Sequence, residues 1–271
     1  MLEDIAREIY YIAEAAGQVV SEWKLKQAQM TISEKLDGSP VTEADLLANQ
    51  VIIDGLEKLS LDEHYPILSE ETDVLPYETR CHWKRYWCID PLDGTKSFIA
   101  GSDEYTINIA LIDNYHPIIG AVYVPDQQCG YFAAKGGQAY KVDQNKNIQV
   151  IHTRSMNSDH FKVAISRFAT SKKLIEGLKA FPGATLEQMS SSLKLCKIAE
   201  GKIDCYPRLT PASEWDLAAA QVILEVAGGT MFDMTFNPIM YNNKSSILQP
   251  AFLAVGESAF DWKPFVELMI K

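Results

Sequence analysis

Carboxylates at three places in the chain are the residues best suited to chemistry. Glu70 and Glu71 close the run "PILSEE", Asp90 and Asp93 close "RYWCIDPLD", and Asp216 opens "EWDLAAA". Each group lies where a predicted strand ends or a predicted helix begins, which is where α/β proteins commonly bind ligands. Because Asp90 and Asp93 repel each other, a nearby cation would make their closeness favourable. Mg²⁺ takes carboxylate oxygens together with water and phosphate oxygens, so the pattern predicts a divalent metal site.

The residues that follow Asp90 predict how such a site is built. Pro91 restricts the backbone, and the carbonyl of Leu92 would point into the predicted turn as a neutral ligand. Gly94 and Thr95 then permit a sharp exit into a helical turn whose free N–H groups can receive a phosphate. Each motif alone also has an ordinary interpretation, as solvated surface, as turn chemistry or as an aspartate favoured by a helix dipole. Their joint occurrence in one chain favours the functional interpretation.

Two amphipathic helices come first in the chain. Apolar side chains from Leu2 to Trp23 recur at helical spacing. After the polar stretch "SEKLDGSP", Thr42 and Asp45 resemble a capping box, and an apolar face continues to Leu59. We therefore expect a helix at each place, with Asp45 in the first turn of the second.

Short apolar runs follow the second helix. The runs "YPILSE" and "RYWCID" end in carboxylates, and "TINIALI", "PIIGAVYV" and "GYFAAK" come after them with short turns between, which predicts an antiparallel meander. The later half mixes the strands "VAISR" and "TMFDM" with the helices "SSLKLCKIAEG" and "EWDLAAAQVILEVAGG". This order predicts a layered α+β fold in a single domain over residues 1–271, in which residues 1–155 and 156–271 would be lobes.

The composition disfavours several classes of partner and location. The 271 residues carry a formal net charge of −11, which argues against nucleic acid polymers and anionic membranes as main partners. The sequence has no apolar run as long as a membrane span, and its charged amino end does not resemble a signal peptide. The five cysteines form no CxxC pair, which is typical of a reducing compartment. We expect a cytoplasmic monomer or homodimer, with peripheral association with the inner membrane left open.

Several motifs together resemble those of a known family. "SEE", "DPLDGT" and the distant "WD" before "LAAAQVILEVAGG" are similar to the motifs of the inositol monophosphatase-like, lithium-sensitive phosphatases. The resemblance is strongest to the bacterial branch called CysQ, the 3′(2′),5′-bisphosphate nucleotidases, through "SPVTEAD", "YWCIDPLDGTKSFI", "INIALID" and "SSLKLCKIAEG". It implies a layered α/β/α/β/α sandwich of the sugar phosphatase type, dependence on Mg²⁺ and a role in sulfur metabolism.

The resemblance also implies a metal-binding role for the motif carboxylates. Glu70 would bind the activating Mg²⁺, Asp90 would bridge two Mg²⁺ ions, and the carbonyl of Leu92 would complete the first site. Asp93 and Asp216 would hold the second ion, and a third ion is left open.

Thr95, with Asp45 behind it, resembles the pair that orients the attacking water, and either this pair or Glu70 would accept the proton. Hydroxide would attack phosphorus in line while the second Mg²⁺ and the amides of Gly94 and Thr95 stabilise the charge, without a covalent phospho-enzyme. The five histidines fit poorly as nucleophiles because all lie outside these motifs: His64, His82, His116, His152 and His160.

Residues of the second half would select among phosphate esters. "MSSSLK" presents Ser191, Ser192 and Lys194 at a predicted helix start, a suitable place for a second anion. Inositol monophosphatases carry a glutamate in the stretch that holds Arg208 here, whereas an arginine suits a second phosphate. The alternative is that Lys194 and Arg208 are exposed solubility charges.

The predicted substrate is adenosine 3′,5′-bisphosphate, a small nucleotide bisphosphate that would be cleaved to AMP and phosphate. Its predicted contacts are Glu70, Leu92, Asp93, Gly94, Thr95, Ser191, Ser192, Lys194, Arg208 and Asp216. An inositol or sugar monophosphatase of the same fold stays open, and so does action on sulfated nucleotides such as 3′-phosphoadenylyl sulfate. A non-catalytic metal-binding protein that acts through a partner is a third interpretation, which the complete set of carboxylates disfavours.

Overall fold

The computed structural model describes residues 2–26, 32–34, 40–168, 170 and 172–270, which form alternating layers of helices and sheets. Of the predicted polar stretch "SEKLDGSP", residues 35–39 lie outside the described part. From one face to the other, the layers are two helices, a seven-stranded sheet, two helices, a five-stranded sheet and two helices. The predicted layered α/β/α/β/α sandwich is therefore confirmed.

Two helices form the first layer, α1 (Leu2–Lys26) and α2 (Glu43–Glu57). The short antiparallel strands β1 (Ile32–Glu34) and β2 (Pro40–Thr42) lie between them in the chain. α2 begins with the predicted capping box, in which Thr42 and Asp45 bond each other's backbone. Buried side chains of both helices share one apolar core with the first sheet, which gives Asp45 a rigid support.

Seven strands form the first sheet, and they are neighbours in chain order. They are β3 (Ile67–Ser69), β4 (Arg85–Asp93), β5 (Thr106–Asp113), β6 (His116–Val124), β7 (Cys129–Ala134), β8 (Ala139–Val142) and β9 (Ile148–Val150). Every pair from β4 to β9 is antiparallel, so the predicted meander is confirmed. β3 is parallel to β4, and the short helix α3 (Tyr77–Arg80) connects the two.

β4 continues through the segment that the sequence predicts as a tight turn. The strand runs to Asp93 and is followed by the short helix α4 (Thr95–Ile99). Asp90 pairs with Asn108 and Asp93 with Thr106, so three steps on β4 face two steps on β5 and the strand bulges. Proline at position 91 has no N–H to donate, which suits a bulge. Both aspartates are therefore tied to β5 instead of projecting from a free turn.

Five strands form the second sheet: β10 (Phe161–Ser166), β11 (Ala184–Met189), β12 (Cys205–Arg208), β14 (Thr230–Asp233) and β16 (Phe252–Val255). Their order is β11, β10, β12, β16 and β14. Two helices lie between the sheets, α6 (Leu193–Ala199) and α7 (Glu214–Val226), and two cover the outer face, α5 (Lys172–Leu178) and α8 (Lys263–Ile270). A small ladder of β13 (Ala212–Ser213) and β15 (Leu248–Gln249) precedes α7.

α7 ends at Val226, just before the glycine pair that closes the predicted helix "EWDLAAAQVILEVAGG". Gly228 follows the helix with a φ of +107°, a conformation that glycine adopts without a steric penalty. Among the described residues, no helix combines the length and the apolar composition that crossing a bilayer requires.

Candidate active site

Nearly all of the predicted site residues line one pocket of about 1180 Å³. It is lined by Glu70, Asp90, Leu92, Asp93, Gly94, Thr95, Ser191, Ser192, Lys194, Arg208 and Asp216. Asp45 is bonded to one of these residues from behind. Of the described residues that line the pocket, none is a histidine.

The parallel pairing of β3 with β4 brings Glu70 beside Asp90. Ser69, the last residue of β3, is level with Ile89 of β4. The backbone N–H of Glu70 then donates to the carbonyl of Ile89 at 3.3 Å. The buried hydroxyl of Ser69 donates to Asn49 of α2 at 2.7 Å, which fixes the end of the strand. Two residues far apart in the sequence thus end at the same edge of the sheet.

Asp216 reaches the same place from α7. It is the third residue of that helix and forms a capping box with Ser213, whose N–H donates to Oδ2 of Asp216 at 3.2 Å. Glu70, Asp90 and Asp216 each offer a carboxylate oxygen, and these oxygens all lie within 4.8 Å of one another. The structure therefore builds a three-carboxylate cluster from β3, β4 and α7.

Asp90 is the most enclosed member of this cluster. Its Oδ1 accepts a hydrogen bond from the N–H of Leu92 at 3.0 Å. Its Oδ2 is buried and has no hydrogen-bond partner among the described residues. A buried, unpartnered carboxylate oxygen is unfavourable unless a cation or a proton compensates it.

Burial and repulsion between carboxylates raise the pKa values of Asp90 and Asp216. For Asp90, burial raises the pKa well above its usual range, and the charges of Glu70 and Asp93 add to the effect. Burial, followed by repulsion from Asp93, raises the pKa of Asp216 to about 8. The ionised forms therefore need a positive charge nearby, which a divalent cation would supply.

Asp93 lines the pocket outside the three-carboxylate cluster. Its Oδ2 accepts hydrogen bonds from the N–H of Ser192 at 2.5 Å and from Nδ2 of Asn108 at 3.4 Å. The hydroxyl of Ser192 lies 2.7 Å from Oδ1 of Asn108 and 2.9 Å from the hydroxyl of Thr106. Ser192, predicted as a substrate contact, thus already bonds to protein groups and orients Asp93.

Thr95 and Asp45 meet as the sequence motif predicts. The Thr95 hydroxyl lies 3.2 Å from Oδ1 of Asp45 and 3.2 Å from the carbonyl of Leu92. The other oxygen of Asp45 accepts bonds from the N–H and hydroxyl of Thr42, at 2.8 and 2.7 Å. Asp45 is 1% exposed, so its orientation is set by α2.

Gly94 makes the sharp exit from β4 that places Thr95. Its φ is +94°, and a Cβ at this position would lie 3.3 Å from the carbonyl oxygen of Glu104. Both the backbone conformation and the close approach therefore favour glycine.

Two cations from the second half of the chain line the same pocket. Lys194 is 3% exposed, its Nζ donates to the carbonyl of Ser191 at 2.6 Å, and it lies over the ring of Tyr206. Burial lowers the pKa of Lys194 to about 8, although Asp93 opposes this shift. Arg208 is partly buried and donates to the carbonyls of Thr210 and Pro211. For Lys194, the interpretation as an exposed solubility charge is wrong.

The sequence did not single out the apolar rim of the pocket, which is formed by exposed lining side chains: Leu46, Val74, Phe168 and Leu248. Phe168 is 55% exposed and Leu248 is 46% exposed. Phe168 lies just after the predicted strand "VAISR", so an aromatic residue at a strand end was an available signal. The segment "SSIL" had no such signal, because tertiary contacts bring it to the pocket, among them the pairing of β13 with β15.

The layered fold and the pocket with three clustered carboxylates can be compared with those of known proteins. A model described as the inositol monophosphatase family matches residues 1–259. The chain belongs to the inositol monophosphatase family.

Among its relatives, the 3′(2′),5′-bisphosphate nucleotidase CysQ of Escherichia coli (strain K12) is 40% identical over 247 residues, which are 90% of this chain and 97% of that protein. The crystal structure of CysQ from Bacteroides thetaiotaomicron has a TM-score of 0.80 and 31% identity, covering 94% of this chain and 97% of that one. An IMPase/NADP phosphatase complexed with Mg²⁺ and phosphate shares the fold alone, with a TM-score of 0.79 at 17% identity over 98% of this chain and 95% of that one.

Proposed function

We propose that this chain is a Mg²⁺-dependent phosphomonoesterase that converts adenosine 3′,5′-bisphosphate to AMP and phosphate. The main support for this proposal is that one pocket is lined by both the carboxylates Asp90 and Asp216 and the cations Lys194 and Arg208. A metal-binding side and an anion-binding side in one cavity suit a substrate with one phosphate to be cleaved and another to be held. The similarity to the CysQ nucleotidases supports the same substrate.

The residues proposed to hold two Mg²⁺ ions are Glu70, Asp90, the carbonyl of Leu92, Asp93 and Asp216, with a third ion left open. The buried, unpartnered Oδ2 of Asp90 within a cluster of like charge fits a hard cation. Bound Mg²⁺ supplies positive charge for the phosphoryl oxygens and lowers the pKa of a coordinated water.

Thr95 and Asp45 are assigned to orient the attacking water and to accept its proton. Because Thr42 already occupies one oxygen of Asp45, the other faces the Thr95 hydroxyl at 3.2 Å. The water can donate its proton to the oxygen of Thr95, whose own proton passes to Asp45. Glu70 is the alternative acceptor. The backbone N–H groups of Gly94 and Thr95 are assigned to the phosphoryl oxygens, where negative charge develops.

Lys194 and Arg208, with Ser191 beside them, are assigned to the phosphate that is not cleaved. Arg208 presents a planar fork that can pair with phosphate oxygens, and Lys194 supplies a charge at the pocket wall. The exposed ring of Phe168 at the rim offers a face on which a nucleobase can stack. A small polar ring such as inositol would leave that apolar rim uncovered, which is why the nucleotide is preferred over an inositol or sugar phosphate.

A non-catalytic role would predict that at least one catalytic position has changed or been drawn away from the pocket. Asp45, Glu70, Asp90, Asp93, Thr95 and Asp216 are all present, and the last five line one cavity. This completeness favours an enzyme over a metal-binding protein that acts through a partner.

Phosphate release from adenosine 3′,5′-bisphosphate, 3′-phosphoadenylyl sulfate and inositol 1-phosphate, measured side by side with Mg²⁺ and with EDTA, tests the proposal. We expect Mg²⁺-dependent release with the highest kcat/KM for adenosine 3′,5′-bisphosphate. A higher kcat/KM for inositol 1-phosphate would favour the sugar phosphatase alternative. Absence of release from every ester would favour the non-catalytic role.

Three broader expectations remain proposals. We propose one domain over residues 1–271, because a single apolar core joins the first sheet, α6, α7 and the second sheet. Cooperative thermal unfolding in one transition would agree with it. We propose that the protein is a monomer or a homodimer, which sedimentation would measure. We also propose a cytoplasmic location, and cell fractionation would test it and would detect any association with the inner membrane.

A further inference from the structure

A buried arginine outside the motifs lies behind one wall of the pocket. Arg80, at the end of α3, is 1% exposed. Its guanidinium donates to Oδ1 of Asn242 and to the backbone carbonyls of Lys244, at 3.2 Å, and Ser245. Its side chain also lies over the ring of Tyr77, 5.1 Å from the ring centre. An isolated buried guanidinium is unfavourable, and these three acceptors compensate its two terminal nitrogens, whereas Nε has no hydrogen-bond partner among the described residues.

Asn242 is held from the opposite side by Glu214, the first residue of α7. Glu214 is 0% exposed, and its carboxylate accepts hydrogen bonds from the N–H of Asn242 at 2.8 Å and the hydroxyl of Tyr86 at 3.4 Å. Asn242 also donates from Nδ2 to the carbonyl of Arg80 at 2.5 Å. Its φ of +50° is a left-handed conformation that asparagine tolerates. The three side chains therefore form one buried assembly.

This assembly holds the segment of the pocket wall from Ser245 to Leu248. Those residues line the cavity, and the N–H of Glu214 donates to the carbonyl of Ile247 at 2.9 Å. Asp216 has its own capping box with Ser213. Arg80 bonds the segment at Lys244 and Ser245, whereas Leu248, which pairs with Ser213, lies at its other end. Loss of the Arg80 contacts would therefore loosen the wall at Ser245, away from the cap that orients Asp216.

We propose that Arg80, Asn242 and Glu214 are positioning residues that hold Ser245–Leu248 as a wall of the pocket against which the substrate binds. A side chain of similar size without the guanidinium could fill the same volume, but it could not bond a side-chain amide and two carbonyls at once. The inference depends on the proposed function only for the identity of the substrate. The order of the wall itself can be measured without any substrate.

Hydrogen–deuterium exchange and steady-state kinetics of Arg80→Met and Arg80→Lys test the proposal. We expect faster exchange in peptides that cover residues 240–249 in both variants. For adenosine 3′,5′-bisphosphate, KM should rise by about ten-fold, because binding must then order a loosened wall, while kcat stays within about two-fold. Arg85→Met is the matched control, because Arg85 pairs with Asp113 at the exposed start of β4 and does not line the pocket.

Asn242→Gly is the gentler second variant, since glycine keeps the left-handed backbone and removes the contacts with Arg80. It should give the same exchange result even if Arg80→Met does not fold. Unchanged exchange at residues 240–249 in folded variants would overturn the proposal. So would an equal loss in kcat and kcat/KM with an unchanged KM, because that pattern would place the effect at the catalytic centre. If the wild-type enzyme preferred another phosphate ester, the proposed function would fail while the exchange result still decided the role of Arg80.

Discussion

The pocket has an acidic side, with Glu70, Asp90, Asp93 and Asp216, and a basic side, with Lys194 and Arg208. The charges on the two sides are compensated in different ways. On the acidic side, oxygens of three carboxylates lie within 4.8 Å of one another, and Oδ2 of Asp90 has no partner among the described residues. On the basic side, Lys194 and Arg208 are each bonded to neutral backbone carbonyls. The basic side is therefore compensated within the protein, whereas the acidic side needs a cation from outside. This difference places the proposed metal site on the acidic side of the pocket.

Asp216 on the acidic side and Lys194 on the basic side are each shifted toward the neutral form by the same cause. Burial raises the pKa of Asp216 to about 8 and lowers that of Lys194 to about 8. A charged ligand on either side reverses the shift, because it replaces the lost hydration. The predictions below separate the two sides, beginning with the largest expected effect.

Asp93→Asn should break the acidic side. The amide keeps the shape of the side chain but removes a negative charge from the proposed second Mg²⁺ site. We expect kcat for adenosine 3′,5′-bisphosphate to fall by roughly a hundred-fold or more, which corresponds to ~2.7 kcal/mol of transition-state stabilisation. Asp113→Asn is the matched control, because Asp113 lies at the far end of β5 in an ion pair with Arg85. Near-normal turnover in a folded Asp93→Asn protein would contradict the metal assignment.

Arg208→Ala should affect the basic side selectively. A charge-assisted contact to a partly buried phosphate contributes about 1.5–3 kcal/mol, so kcat/KM for adenosine 3′,5′-bisphosphate should fall roughly ten- to a hundred-fold. Hydrolysis of 3′-AMP, which lacks the second phosphate, should change little. Arg85→Ala serves as the control for loss of an arginine. Equal losses on both substrates would show that Arg208 supports the catalytic centre or the fold, and no loss on either would favour the inositol or sugar phosphate interpretation.

Phe168→Ala should have a smaller effect that depends on the nucleobase. Stacking of a base on an exposed aromatic ring is worth about 1–3 kcal/mol, and the low end gives roughly a five-fold rise in KM. Phe168→Tyr keeps the ring and should retain the wild-type KM. The comparison is made between adenosine 3′,5′-bisphosphate and a ribose bisphosphate without a base. A change of the same size for both would remove Phe168 from base recognition.

The thermal stability of the metal-free protein gives the finest test of the acidic side. Burial raises the folded-state pKa of Asp216 to about 8, from 3.8 for an unperturbed aspartate. Protonation therefore stabilises the folded metal-free protein at low pH, and this contribution is lost as pH rises from about 4 to about 8. In EDTA, we expect the Tm of the wild-type protein to fall by several degrees over this pH range. The Tm of Asp216→Asn should depend less on pH. Added Mg²⁺ should raise Tm more at pH 8 than at pH 5, and an equal rise at both would contradict coupling between metal and proton.

Much of the acidic side was predictable, because neighbouring residues in the sequence determine how its side chains are placed. The string "DPLDGT" places two carboxylates, a carbonyl and a helix start within one short segment, although the structure replaces the predicted tight turn by a bulged strand paired with β5. Asp45 and Asp216 each lie three residues after a capping hydroxyl, Thr42 and Ser213, so local backbone bonds orient both. The meander was predictable for the same reason, since short turns allow only antiparallel neighbours.

Only the tertiary structure decided which distant groups meet. The parallel pairing of β3 with β4 puts Glu70 beside Asp90, and α7 brings Asp216 to them. Neither the periodicity nor the spacing of residues encodes such a partner, because it results from how the layers pack. The N–H of Ser192 bonding Asp93, the burial of Lys194, and Arg80 behind the pocket wall belong to the same class. From the sequence alone, a charged residue is predicted to be exposed, because most charged residues are. Only the folded structure shows which charged side chains are buried and which groups compensate their charge.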